Sequence, residues 1–155
     1  MFRQALRLYL EKEADLQVVG ETSESEELAR LIREEAADLL CIDSSLLHQA
    51  GSTLVRQLLA LRPSLRIVMM SASCEANLIV PLVRAGTLGV VSKRQAAAEL
   101  LRAIRSARLG RLYLCPETAE TVAGSALSPR GAANDPVPLG ARERQVLQLI
   151  AEGYT

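Results

Sequence analysis

Three residues in this sequence carry chemical types that suit one reaction. Asp43, Ser71 and Lys93 offer a carboxylate, a hydroxyl and an ammonium. A carboxylate that attacks phosphorus forms an acyl phosphate. An ammonium pairs with phosphoryl oxygens as a compact point charge, and a hydroxyl donates a hydrogen bond to the same group. Each residue closely follows a short apolar run: Leu39-Leu40-Cys41-Ile42 before Asp43, Ile67-Val68-Met69-Met70 before Ser71, Gly89-Val90-Val91 before Ser92 and Lys93. Lysine is also scarce here, for among 18 Lys+Arg only Lys12 and Lys93 are lysines. The plainer alternative is that Asp43 caps the next turn, Ser71 ends a strand and Lys93 is solvated. Spacing alone leaves both open.

Other reactive types are poorly placed. His48 is the one histidine, which removes most metal-ligand and triad arrangements. Cys41, Cys74 and Cys115 are widely separated with no CxxC, so neither a zinc site nor a disulfide framework is expected. They read as small hydrophobes. An enzyme using Cys41 or Cys74 as nucleophile has the weakest support, because neither sits at a Gly-rich elbow.

To bring Asp43, Ser71 and Lys93 together, the strands before them must end on one rim. The pattern supplies this. Residues 2–13 carry Phe2, Leu6, Tyr9 and Leu10 at helical spacing, and 16–19 read as a strand. A helix over 24–36 follows a capping-box pattern at 23–26. Strand 39–42 lacks alternation, as a strand buried on both faces does. Then come helix 52–61, strand 66–70, and a helix over 75–85 that Pro81 either kinks or begins. Strand 89–91 and an alanine-rich helix over 96–109 complete an alternating α-β order. Short connections and right-handed crossovers make the sheet parallel and covered on both faces. Ligands of such sheets sit beyond the carboxyl ends of the strands.

After Gly110 the character changes. Residues 111–114 are extended, and 116–122 suit a short helix with Pro at its first position. Residues 123–138 have a linker's Gly, Ala, Ser and Pro. A new amphipathic helix starts near Ala141. The expected divisions are therefore 1–109, 110–138 and 139–155, the last being the start of a further domain.

At 155 residues the chain suits one domain plus part of another, at roughly 150 residues per domain. A 49% hydrophobic content supports a core, and 18 acidic against 18 basic residues leave no global field for nucleic acid. Without Trp, and with 3% aromatics, no base-stacking platform is expected. The apolar run 78–83 is far too short to span a membrane. The N-terminus does not read as a secretory signal, so a cytoplasmic location is expected.

The order of elements, with Cys41-Ile42-Asp43, Ser71-Ala72 and Ser92-Lys93, resembles the receiver domain of bacterial response regulators. Arg84-Ala85-Gly86-Thr87-Leu88-Gly89 is similar to the RAGAxG turn of the NarL/FixJ subfamily. The stretch from Gly110 to Glu117 is similar to its GxxYLSPE segment. Residues 139–155 resemble the opening of a LuxR-type helix-turn-helix domain. The resemblance implies an α/β, flavodoxin-like doubly wound parallel sheet and a two-component transcription regulator. A sensor histidine kinase would phosphorylate Asp43 with Mg²⁺ present. Ser71 and Lys93 would sense the phosphoryl group. A homodimer, or a released C-terminal domain, would then bind DNA.

The sequence also departs from that pattern. The family opens with a strand ending in an acidic pair that holds Mg²⁺, and Met1 falls just after that point. In the strand order 2-1-3-4-5 this leaves a gap of about 9.6 Å, two strand spacings, between 16–19 and 39–42. Either 16–19 pairs directly with 39–42, or that edge is loose. A start upstream of Met1 is the favoured account. Asp43 with a carbonyl near Ser45 makes an incomplete Mg²⁺ site, so this chain is expected to bind no metal and to accept phosphate poorly. The loop after Asp43 reads Ser44-Ser45-Leu46-Leu47-His48 in place of Pro-Gly. Val90 replaces the aromatic switch, and Arg94 follows Lys93. A pseudo-receiver that dimerises without phosphorylation is the alternative. Arg142 and Arg144 reach DNA phosphates at most, so specific DNA binding is expected only of a full-length form.

Overall fold

The runs 39–43, 66–71 and 89–92 are too apolar for any surface, and they become the centre of the molecule. In a computed structural model that describes residues 2–47, 51–95 and 97–126, they form β1 (Leu39–Asp43), β2 (Arg66–Ser71) and β3 (Gly89–Ser92). A short β4 (Tyr113–Leu114) joins them. All pair in parallel in the order β1-β2-β3-β4. The helices are α1 (Phe2–Leu10), α2 (Ser25–Glu34), α3 (Gly51–Leu61), α4 (Ala76–Ala85), α5 (Ala97–Arg108) and α6 (Pro116–Ala126).

Alternation along β2 divides the core in two. Ile67 and Met69 face one layer with Leu28 and Ile32 of α2, Val55 and Leu58 of α3, Ile79 and Leu82 of α4, and Val122 of α6. Val68 and Met70 face the other, against Leu100, Ala103 and Ile104 of α5, with Leu6 and Leu10 of α1 packed alongside. Ile67, Val68 and Met69 are wholly buried. Each such side chain contributes about 1.5–3 kcal/mol relative to exposure. Sequential parallel strands with helices on both faces are what the pattern predicted, and they make this the flavodoxin-like fold that the resemblance implied.

Local chemistry explains several boundaries. Gly86 ends α4 at φ 128°, donating to the carbonyls of Leu82 at 3.2 Å and Val83 at 3.1 Å. Gly89 opens β3 where a Cβ would lie 3.0 Å from a Val68 methyl. Helix α4 already begins at Ala76, so Pro81 lies inside it and not at its start.

Two elements differ from the expectation. Residues 16–19 form no strand: Leu16 packs against the second core cluster, and Val19 is exposed. Among the described residues, no backbone hydrogen bond joins this stretch to β1. A strand exists only by pairing, and the stretch pairs with no described strand, so the direct pairing of 16–19 with 39–42 is not found. The bond from Arg66 N–H to the Asp38 carbonyl, 2.9 Å, sets the phase of the β1–β2 ladder. The main-chain groups of Leu39, Cys41 and Asp43 consequently point away from β2, along an edge that no other strand covers among the described residues. At the opposite end, α6 runs on to Ala126, into the stretch that reads as linker.

Candidate functional site

Parallel strands end on one rim, and the three candidates stand there. Asp43 is the last residue of β1, Ser71 the last of β2, and Lys93 follows β3 directly. Asp43 lies beside Met70 in the β1–β2 register, and Ser71 beside Ser92 in the next. The Lys93 N–H donates to the Ser71 carbonyl at 2.8 Å, which ties the two loops together.

The side chains of Asp43 and Lys93 meet. Asp43 Oδ2 pairs with Lys93 Nζ. Asp43 Oδ1 accepts the Ser45 N–H at 2.9 Å and so caps the short 3-10 turn Ser44–Leu46. The two side chains are 26% and 29% exposed, so the pair is more shielded than a surface salt bridge. Burial by itself pushes the Asp43 carboxyl up. The Lys93 ammonium and the Ser45 hydrogen bonds outweigh it and hold Asp43 below its ordinary value. Asp43 is therefore an anion at neutral pH.

Ser71 reaches the rim, but its hydroxyl is turned into its own loop. It donates to the Ser73 carbonyl and accepts the Ser73 N–H at 3.3 Å. The structure thus joins Asp43 to Lys93 and leaves the wholly buried Ser71 hydroxyl engaged elsewhere. Ser45 serves Asp43 through its backbone N–H. His48, Arg142 and Arg144 lie outside the described residues.

Sequence reasoning missed part of this neighbourhood. Ser92, buried at the end of β3, accepts the Arg94 N–H at 3.3 Å. Beside Lys93 lies a cavity of about 260 Å³ between α1 and α5, lined by Leu6, Tyr9, Met70, Val91 and Leu100. The Gln95 Oε1 atom on its wall is buried without a partner among the described residues. The only sequence signal for these was position, immediately before and after Lys93. As for the thiols, Cys41 stands on the open strand but packs into the second cluster, and burial pushes its thiol up to about 12. Burial also raises Cys74. Neither supplies a thiolate at neutral pH.

The described residues do not fit a Mg²⁺ ion. Such an ion takes oxygen ligands in near-octahedral order. Both Asp43 oxygens already face N–H donors, and among the described residues no three His, Cys, Asp or Glu side chains converge. No helix among them is long and apolar enough to cross a membrane.

Comparison with known proteins says which family this parallel sheet and its rim belong to. The family described as the response regulator receiver domain matches residues 1–105. The chain belongs to that family. It is 29% identical over 153 residues to the response regulator UvrY of Escherichia coli K12, covering 99% of this chain and 70% of that protein. It is 31% identical over 159 residues to the transcriptional regulatory protein LiaR of Bacillus subtilis 168, covering 100% and 74%. Among solved structures, a LuxR-family two-component response regulator from Aurantimonas sp. SI85-9A1 superposes with a TM-score of 0.75. The identity there is 26%, over 81% of this chain and 90% of that one. The chain is thus a receiver similar to two-component response regulators, one of the LuxR family among them.

Proposed function

We propose that Asp43 is the phosphoacceptor of this receiver and that Lys93 is the group that meets the phosphoryl oxygens. The observation that carries this is the Asp43–Lys93 ion pair, formed by residues from strands that are not neighbours in the sheet. In the transfer, a carboxylate oxygen of Asp43 bonds to phosphorus while the bond from phosphorus to the donor breaks. The donor nitrogen of a sensor histidine kinase keeps the electron pair and takes a proton. Lys93, already at the carboxylate, moves from it to the new oxygens. Ser71 joins them only by giving up the Ser73 carbonyl. A homodimer completes the reading, and DNA binding belongs to the full-length form, where Arg142 and Arg144 reach backbone phosphates at most, with transcription as the output. A cytoplasmic place follows from these partners.

A second reading, a pseudo-receiver that acts without phosphorylation, draws on one observation. Both Asp43 oxygens are engaged, and among the described residues no group of three His, Cys, Asp or Glu side chains gathers there. Phosphoryl charge would be poorly compensated there, so acceptance by this chain is slow. The test is incubation with acetyl phosphate and Mg²⁺, followed by mass spectrometry of peptides. Labelling well below stoichiometry, confined to Asp43 and lost in Asp43→Asn, is expected. Rapid stoichiometric label would overturn the slow acceptance. Complete absence of label, or label elsewhere, would overturn the assignment of Asp43 and favour the second reading.

A further inference from the structure

Cys74 and Cys115 stand far apart in the sequence, yet the fold brings both sulfurs to one oxygen. Cys74 lies in the loop between β2 and α4, and Cys115 between β4 and α6. The Thr118 hydroxyl, in the first turn of α6, donates to Cys74 Sγ at 3.4 Å. The same oxygen lies 3.0 Å from Cys115 Sγ. A hydroxyl has one proton, and here it goes to Cys74, so the Cys115 thiol is the donor in the shorter contact. The Ser92 hydroxyl makes a second hydrogen bond to Cys74, while its oxygen accepts the Arg94 N–H at 3.3 Å. Cys115, Thr118 and Ser92 are buried, and Cys74 is the most open of the four at 8%. Cys41 is no part of this group, because it packs into the core on the other face of the sheet from Cys74.

Two sulfurs at one buried point select soft cations. The ligand count narrows the choice. Among the described residues no group of three His, Cys, Asp or Glu side chains gathers, so a tetrahedral zinc ion lacks ligands. Filled-shell ions such as copper(I) accept two sulfurs roughly in line. An oxygen that donates along its O–H and accepts on a lone pair holds its partners at a wide angle, which keeps these sulfurs about 4–6 Å apart. Two metal–sulfur bonds of about 2.3 Å each fit that spacing, whereas a disulfide would have to close it to about 2.05 Å. Both hydroxyl hydrogen bonds at Cys74 favour a sulfur that carries negative charge, as the outer partners of a metal ligand do.

We propose that Cys74 and Cys115 form a two-sulfur site for a soft filled-shell cation of the copper(I) kind, with the Thr118 and Ser92 hydroxyls as its outer partners. One ion enters past Cys74, two S–H bonds break, two metal–sulfur bonds form, and two protons leave to solvent. Nothing is oxidised or reduced. The site uses neither Asp43 nor Lys93, so it stands apart from the phosphoacceptor assignment.

The experiment titrates the whole chain, reduced and kept free of oxygen, with copper(I) in the presence of a coloured copper(I) chelator. One equivalent is expected to pass from the chelator to the protein, and zinc(II) in excess does not displace it. X-ray absorption at the copper edge then counts two sulfurs at bonding distance. Cys74→Ser and Cys115→Ser each abolish the transfer, and Cys41→Ser leaves it intact. Thr118→Val weakens it by about tenfold, the loss typical of an outer partner. No transfer from the chelator, transfer that survives the loss of either Cys74 or Cys115, or transfer lost in Cys41→Ser would overturn the proposal. An unchanged affinity in Thr118→Val overturns the role given to its hydroxyl. Should a variant fail to fold, X-ray absorption on the parent still decides, since a shell of nitrogen and oxygen, or a single sulfur, rules the pair out.

Discussion

At the scale of the residue, the Asp43–Lys93 pair decides how the site responds to acid. The Asp43 carboxyl is held below its ordinary value in the folded chain. It therefore contributes stability above the unfolded carboxyl's pKa, and that contribution is lost as pH falls through the lower folded value. Removing Lys93 takes away the largest contribution that opposes burial and leaves the Ser45 hydrogen bonds, so in Lys93→Ala the Asp43 pKa rises from its lowered value. A carbon-detected NMR titration of the Asp43 carboxyl measures this directly, and an unchanged low pKa in the variant would contradict it. Asp43, Ser71 and Lys93 were legible in the sequence because each follows an apolar run that had to be a buried strand. The direction of the Ser71 hydroxyl was not, since it is set by two hydrogen bonds to Ser73 that no pattern encodes.

At the scale of the element, helices with one apolar stripe announced themselves, while segments that depend on neighbours did not. The run 16–19 has the composition of a strand, yet composition cannot supply a partner. The extension of α6 to Ala126 was hidden by Gly124 and Ser125, which suit a linker equally well. Pro81 marks a helix that tolerates a breaker. It is exposed on α4, while Ile79, Leu82 and Val83 are buried beside it. Its ring removes an internal donor and crowds the carbonyl of Asn77. Replacing it with Ala restores that bond, at the cost of a more flexible unfolded chain. The expected net gain is about 1–2 kcal/mol, less than the roughly 3 kcal/mol penalty of an interior Pro. Urea denaturation with an unchanged slope checks it, and a loss of stability would show that α4 is adapted to the proline.

At the scale of the whole molecule, two cores on opposite faces of one sheet share β2, so damage to either is felt by the other through the central strand. Leu58, on α3 and 1% exposed, stands in the larger core. Leu58→Ala is expected to cost about 2–5 kcal/mol, the transfer and cavity terms together. A chain of this size has only about 5–15 kcal/mol to lose, so the variant's thermal midpoint should fall by many degrees. A shift within error would mean that the neighbouring side chains close the space.

The open side of β1 bears on the fate of the chain in a crowded solution. No described strand pairs with its outward amides and carbonyls, so they can offer a template to an extended peptide, and the apolar Leu39-Leu40-Cys41-Ile42 carries no charge to turn one away. Self-association through that edge is expected to rise with concentration while the core is still intact. One strand's edge, and not folding stability, would then set how concentrated these residues can be kept in solution.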